Sequence, residues 1–340
     1  MRIKQILVAV ILCAAEMVVR AAGPTPARPT RLGVRGGEFT LNGQPEFLLG
    51  FSYYGALGAH HDAVRKDLDD AQRLGFNWLR VWATWNAFGG DISAVGTNGT
   101  AREPFLGRLK WLVAECDRRG LVVDVTLTRG ETLRSFAAHQ QAVETLLAAL
   151  QTHCNWFLDL ANEHDVRDAR FVSDAELTRL RDLVRRRDPA RRVTASFGGH
   201  DLTPDEVREA LLTVGLDFLA PHRPRTAPSP RETEAQTWML RSAMQKLGRT
   251  APILYQEPFR RGYTRWEPQT EDFLNDLRGA IAGGAAGWCF HNGQQGDTAD
   301  KQPRRSFDLR KRRLFDQLDA VEQRVVQQAA IECAGGRKTP

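Results

Sequence analysis

Two glutamates, 94 residues apart, close two apolar runs of the chain: Glu163 follows Trp156–Ala161 and Asn162, and Glu257 ends Pro252–Glu257. Paired carboxyls of this kind can share acid–base work. One, kept protonated, donates a proton to a leaving oxygen; the other attacks carbon or activates water. Facing each other across one cleft, they are what cleavage of a glycosidic bond requires. Either alone could equally be a salt-bridged glutamate at a strand end. The neighbours favour chemistry. Asn162 stands beside Glu163, Arg80 near the end of Asn77–Trp82, and His222 just after Leu216–Ala220. A guanidinium at Arg80 would hold a nearby carboxylate ionised. Trp288 could stack on the C–H face of a sugar. Tyr54, Trp82 and Trp85, with Tyr53, Phe88, Tyr263 and Trp266, crowd the same run ends.

For these residues to converge, the runs that carry them must be parallel and arranged in a ring. Eight short apolar runs are present: Phe47–Tyr53, Asn77–Trp82, Leu121–Thr128, Trp156–Ala161, Arg192–Phe197, Leu216–Ala220, Pro252–Glu257 and Gly287–His291. Their near-continuous hydrophobicity fits parallel strands buried on both faces. Helical patterns alternate with them. His61–Leu74 repeats apolar residues at helical spacing, and Ser173-Asp-Ala-Glu176 and Thr203-Pro-Asp-Glu206 are capping boxes. Glu232–Leu247 ends at Gly248; Thr270–Ala282 and Leu309–Val325 supply the last two helices. The expected architecture is a single-domain (β/α)8 barrel over residues 35–330, preceded by a β-hairpin turning at Asn42-Gly43. A doubly wound open sheet is the rival, but no GxGxxG or GxxxxGK[ST] follows the first strand. In a barrel of this kind active sites lie at the C-terminal strand ends, where the two glutamates fall.

Composition narrows the classes. Of the 340 residues, 42% are hydrophobic and 26% charged, as in ordinary globular proteins, which excludes a disordered chain or a coiled-coil rod. The net charge of +6 is spread over 47 basic and 41 acidic residues, a mixed surface that does not point to nucleic acid. Arg2 and Lys4, the apolar run Ile6–Ala15 and the small residues near Ala21 and Ala22 read as a signal peptide over 1–22. The run is shorter than the roughly 20 residues a membrane span needs. A Pro-rich linker is expected over 23–34 and a flexible tail over 331–340. The expectation is a secreted or periplasmic monomer that is not inserted in a membrane once the leader is removed. Cys116, Cys154 and Cys289 lie in apolar patterns, and no Cys/His cluster suggests zinc.

The segments FTLNGQPEFLLGFSYY, LGFNWLRVW, WFLDLANEHD, ILYQEP and GWCFHNG resemble landmarks of the clan A glycoside hydrolases, especially the family 5 cellulase and mannanase group, over about residues 35 to 295. The resemblance implies a retaining enzyme acting by double displacement on a β-linked glycan of glucan or mannan type, without a cofactor. It implies Glu163 as acid/base, Glu257 as nucleophile and Asn162 as the 2-hydroxyl contact. Arg80, His222 and Trp288 match the arginine, histidine and tryptophan of strands two, six and eight. The chain departs from the pattern in three places. Thr126, Thr128 and Arg129 stand where strand three usually has a histidine, His222-Arg223-Pro224 replaces His-x-Tyr, and Pro258 follows Glu257. Two other functions stay open. One is a carbohydrate-binding pseudoenzyme. The other is a metal-dependent sugar isomerase or epimerase using Glu163, His200 or Asp201, His222 and Glu257.

Overall fold

A computed structural model describes residues 29–292 and 307–336. The leader, half of the linker and the last four residues lie outside them. The eight apolar runs form the eight barrel strands: Leu48–Ser52, Trp78–Trp82, Val122–Thr126, Trp156–Asp159, a fifth strand broken at Ala195 (Val193–Thr194 and Ser196–Phe197), Ala220–Pro221, Leu254–Tyr255 and Gly287–Phe290. All neighbouring pairs are parallel. Arg80 pairs with Ser52 on one side and Asp124 on the other; Phe290 pairs with Phe51 and closes the eighth strand onto the first. Between strands six and seven the ring is held by the Leu219–Ile253 bridge, with Leu254 N–H donating to Leu219 O at 2.9 Å.

Alternation along each strand sorts side chains into two layers. Leu48, Trp78, Val122, Phe157, Phe218 and Leu254 point inward and fill the lower barrel. Leu49, Phe51, Leu79, Val81, Val123 and Leu158 point outward against the helices. The Trp78 ring occupies the axis so closely that a Cβ at position 50 would lie 2.2 Å from it, so Gly50 is the residue that fits there. Below this layer sits a three-stranded antiparallel sheet, Leu32–Arg35, Glu38–Leu41 and Gln44–Glu46. Asn42 and Gly43 both take positive φ at its expected turn. Its Phe39 plugs the barrel floor, edge-on to Phe218 at 5.0 Å. The strand Leu32–Arg35 falls largely within the segment expected to be linker.

Two helix expectations need correction. Residues 309–318 are not helical, because side chains of the first helix (His61–Arg73) fix their backbone. Asp67 accepts the Leu314 and Phe315 N–H groups, and Arg313 pairs with Asp67 and Asp70. The last helix starts at Ala320, where Asp319 accepts from Val321 and Glu322 N–H, and runs to Gly336, into the segment expected to be a tail. The sixth helix begins at Ser229 rather than Glu232. Strand six is shifted toward its C-terminal end. A π-helical turn, Glu209–Val214, precedes it, and Leu216 N–H returns to Ala210 O. Cys116 and Cys289 are free and buried, and Cys154 is free and only partly buried. No helix among the described residues is long and apolar enough to cross a membrane.

Candidate active site

Above the apolar floor the barrel interior becomes polar, and Arg80 is its hub. Buried completely, it reaches Glu257 Oε1 at 2.5 Å, Asp159 Oδ2 at 2.8 Å, Asn162 Oδ1 at 2.7 Å and Thr126 Oγ1 at 3.1 Å, with Asp124 at 3.4 Å. Its five donors thereby tie strands two, three, four and seven together. Asn162, with its carbonyl held by Arg80, keeps its amide N–H groups for a ligand in the cleft it lines. Glu163 has φ of 49°, a left-handed conformation costly for a non-glycine residue. Its N–H donates to Ser196 Oγ, which in turn donates to Asp159, so strand five holds the strained turn in place.

The two carboxylates face each other. His222 spans the gap, 3.2 Å from Glu163 Oε1 and 3.8 Å from Glu257 Oε2 through the same Nδ1. Its Nε2 faces Arg80 Nη1 at 3.4 Å, which makes Nε2 the acceptor and Nδ1–H the donor to Glu163. One oxygen of each glutamate lies within 4.8 Å of the other. Tyr54, from the end of strand one, donates to Glu257 Oε1 at 3.1 Å. No tyrosine from the His222-Arg223-Pro224 segment is available for such a contact. The Tyr54 ring stacks on Trp82 at 3.9 Å, and Trp85 completes the aromatic wall.

The structure therefore brings together Glu163, Glu257, Arg80, Asn162, His222 and Tyr54, with Trp82 and Trp85 lining the same cleft of about 360 Å³. Trp288 is the exception. It is fully buried and points outward, its Nε1–H donating to Asp276 Oδ2 of the helix Thr270–Gly283 at 2.6 Å. On strand eight Cys289 points inward, and His291, just past the strand end, faces the cleft, 3.3 Å from Glu257 Oε2. Tyr53 likewise points outward, to Asp67. Burial pushes Asp276 up to about 6. Trp288→Phe leaves that carboxyl without one of its donors, and unfolding in urea should show a loss of about 1–3 kcal/mol. Sugar affinity of this variant should be unchanged; a weakened affinity would put Trp288 back in the binding path.

Three loop arginines escaped the sequence reading. Arg170, after strand four, pairs with Glu163 Oε2 and with Asp168. Arg225, after strand six, reaches Glu257 Oε2 at 2.7 Å and Glu163 Oε1 at 3.5 Å. Arg260, after strand seven, reaches His291 Nε2 at 2.6 Å. Their only sequence signal is position, within a few residues of strand ends. Burial pushes Glu257 up, but the charges of His222, His291, Arg80 and Arg225 reverse this and hold it well below the usual carboxylate range. Burial pushes His291 itself well below the usual imidazole range. Glu163 is also lowered: burial raises it, Glu257 opposes its ionisation, and the His222 hydrogen bond and charge, with Arg225, win.

The glutamate pair and His222 each offer one metal-ligand atom within 4.8 Å of the others. The donor set does not suit a divalent ion. His222 Nδ1 carries a proton, and Arg80, Arg170 and Arg225 already occupy the carboxylate oxygens. A larger cavity, about 1280 Å³, lies between the hairpin sheet and the helix Ser229–Lys246 and is lined by neither glutamate.

No protein-family profile and no curated protein sequence matches the chain. Solved structures do. An endo-1,4-beta-mannanase from Rhizomucor miehei has a TM-score of 0.63 at 12% identity, covering 90% of this chain and 99% of that one. A beta-1,4-D-mannanase from Cryptopygus antarcticus has a TM-score of 0.58 at 13% identity, covering 89% and 94%. GH5_18 from Streptomyces cattleya, solved in complex with GlcNAc, has a TM-score of 0.60 at 18% identity, covering 87% and 82%. The chain thus has the (β/α)8 fold that these glycoside hydrolases share.

Proposed function

We propose that the protein is a retaining glycosidase, a divergent relative of the family 5 enzymes, that cleaves a β-linked glycan of gluco or manno configuration. The observation that carries this is the carboxylate pair, with oxygens within 4.8 Å of each other. Retaining enzymes set their carboxyls about 5–5.5 Å apart, whereas inverting ones leave about 6.5–9.5 Å for a water. A carboxylate oxygen of Glu257 attacks the anomeric carbon as the bond to the leaving oxygen breaks and the Glu163 proton passes to that oxygen. Glu163, now ionised, takes a proton from water, whose oxygen attacks the anomeric carbon. The sugar leaves, Glu257 is again a carboxylate, and Glu163 is again protonated. Asn162 would hold the hydroxyl next to the reacting carbon. The basic, apolar and small residues at the N-terminus support action after export.

The test is intact-protein mass spectrometry after incubation with activated 2-deoxy-2-fluoro glycosides, gluco and manno, charged and uncharged. An adduct is expected on Glu257, absent from Glu257→Gln. No adduct from any reagent, together with no glycan hydrolysis, would overturn the proposal, and retained glycan binding would then favour a binding protein.

A further inference from the structure

We propose that the cleft accepts a sugar bearing a negative charge, a uronate or a sulfate ester, with the anionic group bound between Arg225 and Arg260 beside Tyr263. This rests on the glycosidase function proposed for the same site. The cleft is lined by four guanidiniums, Arg129, Arg170, Arg225 and Arg260, against three carboxylates, Glu131, Glu163 and Glu257. Arg170 and Arg225 pair with the reacting glutamates, and Arg129 pairs with Glu176.

Arg260 differs from the other three. It is only 8% exposed, yet among the described residues it forms no ion pair with a carboxylate; its side-chain hydrogen bond goes to the imidazole of His291. A buried cation without a counter-charge is costly unless something completes it. Beside it, Arg225 spends one Nη on Glu257 while its Nε is buried with no partner. Both guanidiniums lie over the Tyr263 ring, at 4.7 and 4.2 Å from its centroid. Two converging guanidiniums with unspent N–H donors make a fork for a carboxylate or sulfate. Hydroxyls of a neutral sugar can take those hydrogen bonds but cannot supply the counter-charge.

The experiment compares kcat/KM of the full chain on 4-nitrophenyl β-glycosides of gluco and manno configuration with their 6-carboxylate and 6-sulfate counterparts. The best anionic substrate should exceed its neutral counterpart by at least about 30-fold, and the preference should shrink as salt rises. Arg260→Gln should cut that ratio at least about tenfold, and Arg260→Lys should recover part of it. If the glutamine variant does not fold, the wild-type ratio and its salt dependence decide. Preference for the carboxylate or the sulfate series identifies the source of the anion. Neutral glycosides cleaved as well as or better than anionic ones would overturn the anionic site and leave the glycosidase function standing. If nothing is cleaved and no Glu257 adduct forms, the glycosidase function falls. Calorimetric titration with a glucuronic-acid disaccharide and its glucose counterpart then decides the anion site: tighter acidic binding supports it, and equal binding overturns it.

Discussion

Glu163→Gln is expected to lower kcat/KM by about 10³–10⁴-fold on substrates with poor leaving groups, and by far less when the leaving group is a nitrophenolate. The difference arises because only a poor leaving oxygen needs the proton. The amide keeps the shape and still accepts from His222 Nδ1, which sits 3.2 Å from Glu163 Oε1, so the loss reports proton donation rather than collapse of the site. The pH profile separates the two further. In the free protein Glu163 lies below its usual 4.5, since the His222 hydrogen bond and charge and Arg225 outweigh the upward push of burial. The reactive form needs Glu163 protonated and Glu257 ionised. Wild-type kcat/KM should therefore peak at acid pH and fall about tenfold per unit above roughly 4.5. In Glu163→Gln that basic limb should vanish. A limb that persists would assign the proton donor to another group.

The same lowered pKa stabilises the fold at neutral pH. A depressed carboxyl contributes stability that is present above its unfolded value of about 4.3 and lost as pH falls through the folded value. Glu257, held well below the usual range, acts with the same sign at lower pH. The protein is thus expected to be most active where these two glutamates contribute least to its stability. A substrate anion that draws Arg225 away from Glu163 would raise that carboxyl and relieve the conflict.

What sequence pattern carried, and what it did not, divides along physical lines. The eight runs were visible because strands buried on both faces must be continuously apolar, and the floor of Trp78, Phe157 and Phe218 is what they bury. Glu163, Asn162, Arg80 and His222 were visible because polar residues interrupting such runs near their ends have few places to go except the barrel mouth. Trp288 failed on parity: residues 288 and 290 face the helices and 289 and 291 the axis, so His291 takes the inward place. The choice between them depends on register, set by Phe290 pairing with Phe51. Arg170, Arg225 and Arg260 lie on loops, whose reach depends on a path that no periodicity encodes. Residues 309–318 look amphipathic, but tertiary bonds to Asp67 replace the helical ones.

Arg80→Met should cost about 3–5 kcal/mol in urea unfolding at pH 7, the usual penalty for stranding buried charges. Three carboxylates, Asp124, Asp159 and Glu257, lie within 3.4 Å of the guanidinium, and Arg80, Asp124 and Asp159 are fully buried. Asp124 already sits well above its usual value, because burial and the neighbouring Asp159 outweigh Arg80. Removing the cation raises it further. A carboxyl with a raised folded pKa binds more protons folded than unfolded, so the variant should regain stability as pH falls from 7 toward 5. The gap to wild type should narrow over that range. Arg80→Lys should fall between the two, since an ammonium keeps the charge but cannot span Glu257, Asp159 and Asn162 at once. Adding Asp124→Asn and Asp159→Asn to Arg80→Met should recover much of the loss by removing the charges left unpaired. If Arg80→Met costs under about 1 kcal/mol, or its deficit grows on acidification, Arg80 is not the charge that holds this layer together.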